Sequence, residues 1–179
     1  MNSRLKEFLA SRGAKYELVP HPAAFTAQEQ AAVSHIPGRS WAKVVVIKER
    51  DGYAMAVLPA CCAVDLNRLR GLIGHGPIRL ASLEEILGAV PDSEPGAIAP
   101  FGRLYDLPVF ADRALLQQRE VAMPAGDHRA AIRMRAAEFL RLAAPRVGDF
   151  TVHESLVATA PRPRRSRRSR AQARTGGRS

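Results

Sequence analysis

Two β-forming runs separated by a short turn constrain the fold more than any other feature of the sequence. Residues 43–47 (KVVVI) and 53–58 (YAMAVL) are apolar and rich in β-branched or aromatic residues. The Arg50-Asp51-Gly52 segment between them is a strong turn signal. The sequence therefore predicts an antiparallel β-hairpin over residues 43–58.

Shorter elements are predicted on both sides of this hairpin. Thr26 and Glu29 form a capping-box pattern, and Ser82 and Glu85 repeat it, so a helix is expected to begin at each place. Helices are predicted at 3–14, 27–34, 66–71, from 83 and at 135–143, and strands at 16–19, 77–80, 96–99, 107–111, 120–123 and 130–134. Many short strands with irregularly placed helices indicate an α+β (mixed α/β) fold, with a mixed, largely antiparallel sheet surrounded by helices.

The chain length and the charge distribution predict one domain followed by a tail. A sequence of 179 residues is enough for a single core, which we expect to span residues 1–150. Residues 151–179 hold eight arginines and one acidic residue, so most of the net charge of +10 lies there. This arginine-rich stretch has few large apolar residues and is expected to be disordered. It could be a nonspecific phosphate-binding arm for RNA or merely a solubilising extension.

Composition excludes several other classes of protein. No apolar run reaches the ~18 residues of a membrane span, and the N-terminal residues do not resemble a secretory signal, so a cytoplasmic location is expected. Cys61 and Cys62 are adjacent, which suits neither a disulfide nor a spaced metal-ligand set, and reduced thiols are expected. Phosphate-binding loops, nucleophile elbows and zinc-protease motifs are absent from the sequence.

Four local features are candidates for a functional site, each with a plain structural alternative. Lys43 stands at a strand end, where its ammonium could meet a phosphate or carbonyl, or could simply be solvated. Residues 96–102 (GAIAPFG) could present backbone amides to an oxyanion, or form an ordinary turn. Thr26 could face a pocket, although capping a helix is its simplest role.

The fourth candidate is the turn that carries His128 between Asp127 and Arg129. A histidine at such a turn could donate to a substrate carbonyl or organise a water molecule, and the two neighbouring charges could contact a substrate. The alternative is a surface histidine with no chemical role.

In combination, these segments resemble a known family, the YbaK and prolyl-tRNA-synthetase-associated editing domains. The resemblance covers roughly residues 5–143 and depends on the order and spacing of several segments: His21-Pro22 with Thr26-Ala27 and Glu29, Ala42–Val46, Val57–Ala60, Val64–Leu66, Gly96 with Pro100–Gly102, and Ala125-Gly126 with His128-Arg129 and Ile132–Met134.

The resemblance implies a single-domain aminoacyl-tRNA deacylase that needs no metal or cofactor. Such enzymes hydrolyse misacylated tRNA, commonly tRNA for proline that carries alanine or cysteine, and this chain resembles a form acting in trans. Position by position, the resemblance assigns a functional role to Lys43, to Gly96 and Pro100 of the Gly-x-x-x-Pro loop, and to His128.

The resemblance also implies a division of labour within the site. Amides near Gly96 would stabilise the oxyanion, and Lys43 would anchor the terminal adenosine or its phosphate. Thr26, Leu58 and Phe101 are the candidates for a small pocket that selects the amino acid by size. A noncatalytic RNA- or protein-binding module on the same fold is the main alternative, and a cysteine hydrolase is a weaker one because the sequence shows no base near Cys61 or Cys62. The oligomeric state stays open.

Overall fold

A computed structural model describes residues 1–74 and 76–153 of the chain. The helices in these residues are α1 (Ser3–Ser11), α2 (Ala27–Val33), α3 (Leu66–Ile73), α4 (Leu83–Ala89), α5 (Arg113–Leu116) and α6 (Ala136–Ala143). The strands are β1 (Glu17–Pro20), β2 (Ala42–Lys48), β3 (Tyr53–Pro59), β4 (Cys62–Val64), β5 (Arg79–Leu80), β6 (Val109–Asp112), β7 (Glu120–Pro124), β8 (Ala130–Arg135), β9 (Arg146–Gly148) and β10 (Thr151–His153).

The helix starts follow from local capping. The Thr26 hydroxyl accepts a hydrogen bond from the Glu29 N–H, and the Glu29 carboxylate accepts one from the Thr26 N–H, so the predicted capping box of α2 is confirmed. Ser82 and Glu85 form the second predicted box, at the start of α4. The carboxylate of Asp65 caps α3 in the same way, because side-chain acceptors satisfy backbone donors that the first turn leaves unpaired.

The predicted hairpin is the centre of the largest sheet. β2 and β3 pair antiparallel, with Lys43 opposite Leu58 and Val46 opposite Met55. β5 pairs antiparallel with β2, whereas β6 and β9 add to the β3 side in parallel, which gives the order β5-β2-β3-β6-β9. The remaining pairings form an antiparallel β1-β8-β7 sheet and a β4-β10 pair. A β-bridge from Trp41 to Ala122 links the largest sheet to the β1-β8-β7 sheet. The predicted mixed, largely antiparallel α+β architecture is confirmed.

The hairpin is buried on both faces. Val46, Met55 and Val57 belong to the larger core cluster, which α1 and α6 also enter. Residues that alternate with them, including Ile47 and Leu58, pack instead against α3 and Phe150 in a second cluster. Because neighbouring residues of a strand point to opposite faces, one apolar hairpin supplies both clusters.

The prediction of a strand at 96–99 is wrong. Gly96 has a φ of +85°, and the Ala97 N–H bonds back to the carbonyl of Glu94, so this segment turns instead of extending. The Ala97 carbonyl accepts from the Gly126 N–H, which fastens the loop to the β7–β8 turn. The structure also contains four short elements that the sequence did not predict, namely β4, α5, β9 and β10.

The last described strand begins inside the predicted tail. Thr151–His153 pair with Cys62–Val64, so the first three residues assigned to the tail form part of a sheet. The rest of the predicted arginine-rich tail, residues 154–179, lies outside the described residues. Within the described residues, no helix is long and apolar enough to cross a membrane.

Candidate functional site

The Gly96 loop packs directly against the turn that carries His128. A Cβ added to Gly96 would lie 2.8 Å from the carbonyl oxygen of Phe25 and 3.5 Å from Cε1 of His128. With a φ of +85° at this position, both the backbone conformation and the close approach require glycine. Gly96 is exposed, and none of the described residues accepts a hydrogen bond from its N–H. That N–H is therefore available to an incoming oxygen.

A buried glutamine joins the two loops. Gln30 is 0% exposed, and its Nε2 lies 3.0 Å from the carbonyl oxygen of Ala24, 3.3 Å from that of Gly96 and 3.2 Å from Nδ1 of His128. An amide nitrogen has two hydrogens, and the two carbonyls are the acceptors for them. The Gln30 side chain thereby holds Gly96 against the start of α2, and the Ala24 carbonyl that it bonds also contacts the His128 ring.

This network also sets the tautomer of His128. Nδ1 lies 3.0 Å from the carbonyl oxygen of Ala24, which can only accept, so the network assigns the proton to Nδ1. In the neutral ring, Nε2 is then the basic nitrogen. Nε2 lies 3.6 Å from a carboxylate oxygen of Glu94, and the same oxygen accepts from the His128 backbone N–H at 3.0 Å.

The imidazole borders a cavity of about 390 Å³ at the protein surface. Its lining comes from the segment before α2, from the Gly96 loop and from the β7–β8 turn: Ala23, Phe25, Glu94, Pro95, Asp127, His128 and Arg129. The cavity thus combines an aromatic ring, a basic nitrogen and charges of both signs beside an open backbone N–H.

The two charged neighbours of His128 have different roles. The carboxylate of Asp127 accepts from the Arg129 N–H and from the N-terminal ammonium of Met1. Burial acts to raise the pKa of Asp127, but these hydrogen bonds outweigh it and hold the pKa below its ordinary value of 3.8. Asp127 thus holds the turn from the cavity wall, whereas the side chain of Arg129 is exposed at the cavity.

Lys43 lies outside this cluster of contacts. Its half-buried side chain extends from β2, and Nζ donates to the carbonyl oxygen of Ala60 at 3.2 Å. Ala60 in turn donates to the carbonyl oxygens of Gly38 and Trp41, so Lys43 borders the segment that leads into β2. The contacts of the described residues include none between Lys43 and Gly96 or His128.

Residues 21–142, which contain all of these features, match the family model described as the aminoacyl-tRNA editing domain. The chain belongs to the aminoacyl-tRNA editing domain family. The resemblance drawn from the sequence motifs is thereby confirmed, and the chain is an enzyme, an aminoacyl-tRNA deacylase.

Relatives of this editing domain include both free-standing and synthetase-linked proteins. The "Multifunctional Ser/Thr-tRNA deacylase ProXp-y" of Escherichia coli K12 is 31% identical over 160 residues, which cover 83% of this chain and 92% of that protein. The proline–tRNA ligase of Thermosipho africanus is 32% identical over 71 residues, 40% of this chain and 13% of the ligase. A crystal structure of a candidate trans-editing enzyme for prolyl-tRNA synthetase matches with a TM-score of 0.75 and 27% identity, covering 85% of this chain and 99% of that one.

Of the residues predicted for the site of this editing domain, the structure brings together Gly96, Asp127, His128 and Arg129. Pro100 is buried four residues beyond Gly96 in the same loop, where it can hold the loop but does not reach the cavity. Thr26 caps α2, which was its simplest expected role. Lys43 stays a predicted anchor, on the evidence of sequence resemblance alone.

The predicted amino-acid pocket is not supported. Leu58 and Phe101 are both completely buried, and they belong to two different core clusters. Because neither side chain reaches solvent, they do not line one open pocket together with Thr26. Leu58 belongs to a buried face of β3, and the ring of Phe101 packs from its loop against Phe8 and Phe139. Asp127, predicted to bind substrate, lines the cavity, and its carboxylate accepts from the N-terminus and the Arg129 N–H.

Sequence reasoning missed three residues of the editing site: Phe25, Gln30 and Glu94. Phe25 lies in the loop before α2, and Gln30 is a polar residue on the buried side of that helix. A glutamine among the buried positions of an amphipathic helix is the signal that would have marked Gln30, because such a group needs partners. Glu94 gave no local signal, since its contact with His128 joins residues 34 positions apart.

The cysteine pair does not resemble a nucleophile. The sulfur atoms of Cys61 and Cys62 lie 3.9 Å apart. Burial, followed by the neighbouring Cys61 thiol, raises the pKa of Cys62 to about 11. A thiol with so high a pKa holds little of the reactive thiolate at neutral pH, which disfavours Cys62 as the nucleophile of a cysteine hydrolase.

Proposed function

We propose that this chain acts in trans and hydrolyses the ester bond of mischarged tRNA that carries a small amino acid, with tRNA for proline as the preferred tRNA. The observation that carries the proposal is the contact of the Gly96 loop with His128, which lines the cavity, together with the buried Gln30 that joins the two loops. It combines an open oxyanion donor with a fixed basic nitrogen, the two groups that ester hydrolysis needs most.

The proposed reaction uses only the substrate, water and groups of the chain. The oxygen of a water molecule bonds to the ester carbonyl carbon while Nε2 of His128 takes one of its protons. The carbonyl oxygen becomes an oxyanion, which the Gly96 N–H stabilises by about 2.7 to 4 kcal/mol if it behaves like other such donors. The bond from carbon to the ribose oxygen then breaks, and the proton held by His128 passes to that oxygen.

The charged side chains at the cavity favour one orientation of the bound substrate. Arg129 is exposed at the cavity and suits a phosphate of the acceptor end, while Glu94 carries a charge that would repel one. Lys43 is proposed as a second anchor for the terminal adenosine or its phosphate, as the resemblance implies. Its Nζ donates a hydrogen bond to the carbonyl oxygen of Ala60, which holds the ammonium in place before the substrate binds.

The identity of the amino acid that is removed is the most specific part of this proposal. A small amino acid is expected, and the relative named as a Ser/Thr-tRNA deacylase adds serine and threonine to alanine and cysteine as candidates. A difference of one methylene is worth only about 1 to 3 kcal/mol to a synthetase, which is why small amino acids require editing.

A deacylation panel tests the proposal. Each of several tRNAs, including tRNA for proline, is charged with alanine, cysteine, serine or threonine, and release is followed with the wild-type chain. Release of at least one amino acid is expected, with the fastest rate on tRNA for proline. If no pair reacts, the enzymatic proposal fails and a noncatalytic binding module replaces it. Release that is fastest on another tRNA would overturn the tRNA preference alone.

Lys43→Ala in the same panel tests the anchor. We expect a higher KM, because the lost contact is to a part of the substrate that does not react. Lys48→Ala is the matched control, since Lys48 is a half-buried lysine of the same strand whose ammonium lies over the Tyr53 ring at 4.4 Å. An equal effect of the two substitutions would show that Lys43 has no special role.

We also propose that the arginine-rich residues 154–179 add nonspecific affinity for tRNA. The support is the charge alone: these residues hold eight arginines and one glutamate. Deleting them should weaken binding at low salt and reduce the salt dependence of binding, while the hydrolysis rate at saturation is kept. Because Thr151–His153 form β10, the truncation must end at residue 153. Unchanged affinity and salt dependence would leave the tail as a solubilising extension.

A further inference from the structure

An unusually exposed aromatic ring stands at the cavity. Phe25 is 67% exposed, more than any other large apolar side chain among the described residues. Its ring lies 4.9 Å from the imidazole of His128, at an interplanar angle of 52°. An apolar ring left in water beside a basic nitrogen suggests a ligand that covers the ring.

The backbone of Phe25 fixes where that ligand must lie. A Cβ added to Gly96 would lie 2.8 Å from the carbonyl oxygen of Phe25. The exposed ring therefore belongs to a residue that contacts the loop proposed to stabilise the oxyanion. The ester of an aminoacyl-tRNA is attached to the ribose of its last nucleotide. When the ester carbonyl is held at Gly96, the base on the same ribose is therefore confined to the immediate surroundings.

The charges of the cavity orient that nucleotide. The Arg129 guanidinium is exposed on one side and suits the phosphate, whereas Glu94, 56% exposed, carries the opposite charge near His128. When the phosphate of this nucleotide contacts Arg129 and its ester lies at Gly96, its base covers the remaining apolar surface. That surface is the Phe25 ring.

From this arrangement we propose that Phe25 is a stacking platform for the 3′-terminal nucleobase of the aminoacyl-tRNA. Every base has a π-face, and stacking on an aromatic side chain contributes about 1 to 3 kcal/mol per base. The inference rests on the proposed function, because it takes the ester to be bound at Gly96. It makes Phe25 a substrate-binding residue for the nucleotide and not for the amino acid.

The test uses two small ligands that differ only by the base. AMP and ribose 5-phosphate are titrated into the full chain, and binding is followed by NMR shifts of the His128 ring. Wild type should bind AMP roughly 5- to 160-fold more tightly than ribose 5-phosphate. Phe25→Leu should remove most of this difference, and Phe25→Trp should keep it. Leu83→Ala, at a residue that is 60% exposed on α4, is the control and should change nothing.

Two outcomes would overturn the inference. Equal binding of AMP and ribose 5-phosphate by wild type would show that no base is recognised. An AMP affinity that Phe25→Leu leaves unchanged, together with an altered order of preference among amino acids in the deacylation panel, would assign Phe25 to the amino-acid side chain instead. The titration needs no turnover, so its result stands apart from that of the deacylation panel.

Discussion

The side-chain amide of Gln30 lies 3.2 Å from Nδ1 of His128, although 98 residues separate the two in sequence. Gln30 donates to the carbonyl oxygens of Ala24 and Gly96, and the Ala24 carbonyl also accepts from the His128 ring. One buried amide therefore holds the Gly96 loop directly, and His128 through the Ala24 carbonyl that both side chains share.

Replacing Gln30 with leucine should damage catalysis more than substrate binding. The variant keeps the bulk of the side chain but removes the donor that holds Gly96 and His128 in register. We expect kcat to fall by up to about 100-fold, the size of effect that a misplaced catalytic group produces, with a smaller change in KM. The pH profile of kcat should also shift, because the surroundings of the His128 ring change.

Gln118→Leu is the control for that experiment. Gln118 also makes a side-chain hydrogen bond, to the Ser40 hydroxyl at 3.5 Å, but lines a different cavity. Unfolding should be monitored in parallel, since two carbonyls lose a buried partner in Gln30→Leu at a cost of about 1 to 3 kcal/mol each. If a folded Gln30→Leu kept both its kcat and its pH profile, Gln30 would have no positioning role.

Gly96→Ala should abolish measurable deacylation while leaving the chain folded. The added Cβ would lie 2.8 Å from a backbone oxygen, which cannot rotate away, and alanine costs about 1 to 2 kcal/mol in the left-handed region. We expect a loss of at least about 100-fold in kcat, as on removal of an oxyanion donor. Gly71→Ala, where a Cβ meets nothing within 4 Å, is the matched control and should keep full activity.

The fold was predictable where the signals are local. The β2–β3 hairpin depends on two apolar runs and a turn, and α2 and α4 begin at capping boxes, so each is determined by a few adjacent residues. The strand predicted at 96–99 failed because its residues bond to the β7–β8 turn, through Ala97 and Gly126. The pairing of β10 with β4 was equally out of reach, since it joins segments almost 90 residues apart.

The site residues divide in the same way, into those with a local sequence signal and those without one. Gly96 and His128 were found because they belong to segments that resemble the editing family. Gln30, Glu94 and Phe25 act through contacts between distant segments, which a single sequence does not reveal. Leu58 and Phe101 were predicted to line the amino-acid pocket, but burial in the two core clusters decides their role.

A double variant, Cys61→Ser with Cys62→Ser, should keep the deacylase activity. The pKa of Cys62 is raised to about 11, mainly by burial, so its thiolate is scarce at neutral pH. We expect kcat/KM of the double variant within about twofold of wild type. In the wild-type chain, iodoacetamide labelling of Cys62 should accelerate as the pH approaches 11. His128→Ala serves as the comparison, because it removes the proposed base. Loss of activity in the double variant, with unfolding unchanged, would revive the cysteine-hydrolase alternative.

The carboxylate of Glu138 should make stability depend on acid pH. Hydrogen bonds from the Arg141 guanidinium, and then from the Lys15 N–H, lower the pKa of Glu138 from 4.5 to about 2. A group whose pKa is depressed by folding stabilises the folded state fully above its unfolded pKa, and loses that contribution as pH falls through the folded value. Glu138→Gln should therefore lower the free energy of unfolding at pH 7, by less than about 1 kcal/mol for a single ion pair at the protein surface. The difference from wild type should shrink between pH 4.5 and pH 2, as measured by urea unfolding.

Glu84→Gln, on the exposed surface of α4, is the control. A difference between Glu138→Gln and wild type that stayed constant down to pH 2 would show that the ion pair with Arg141 does not stabilise the fold.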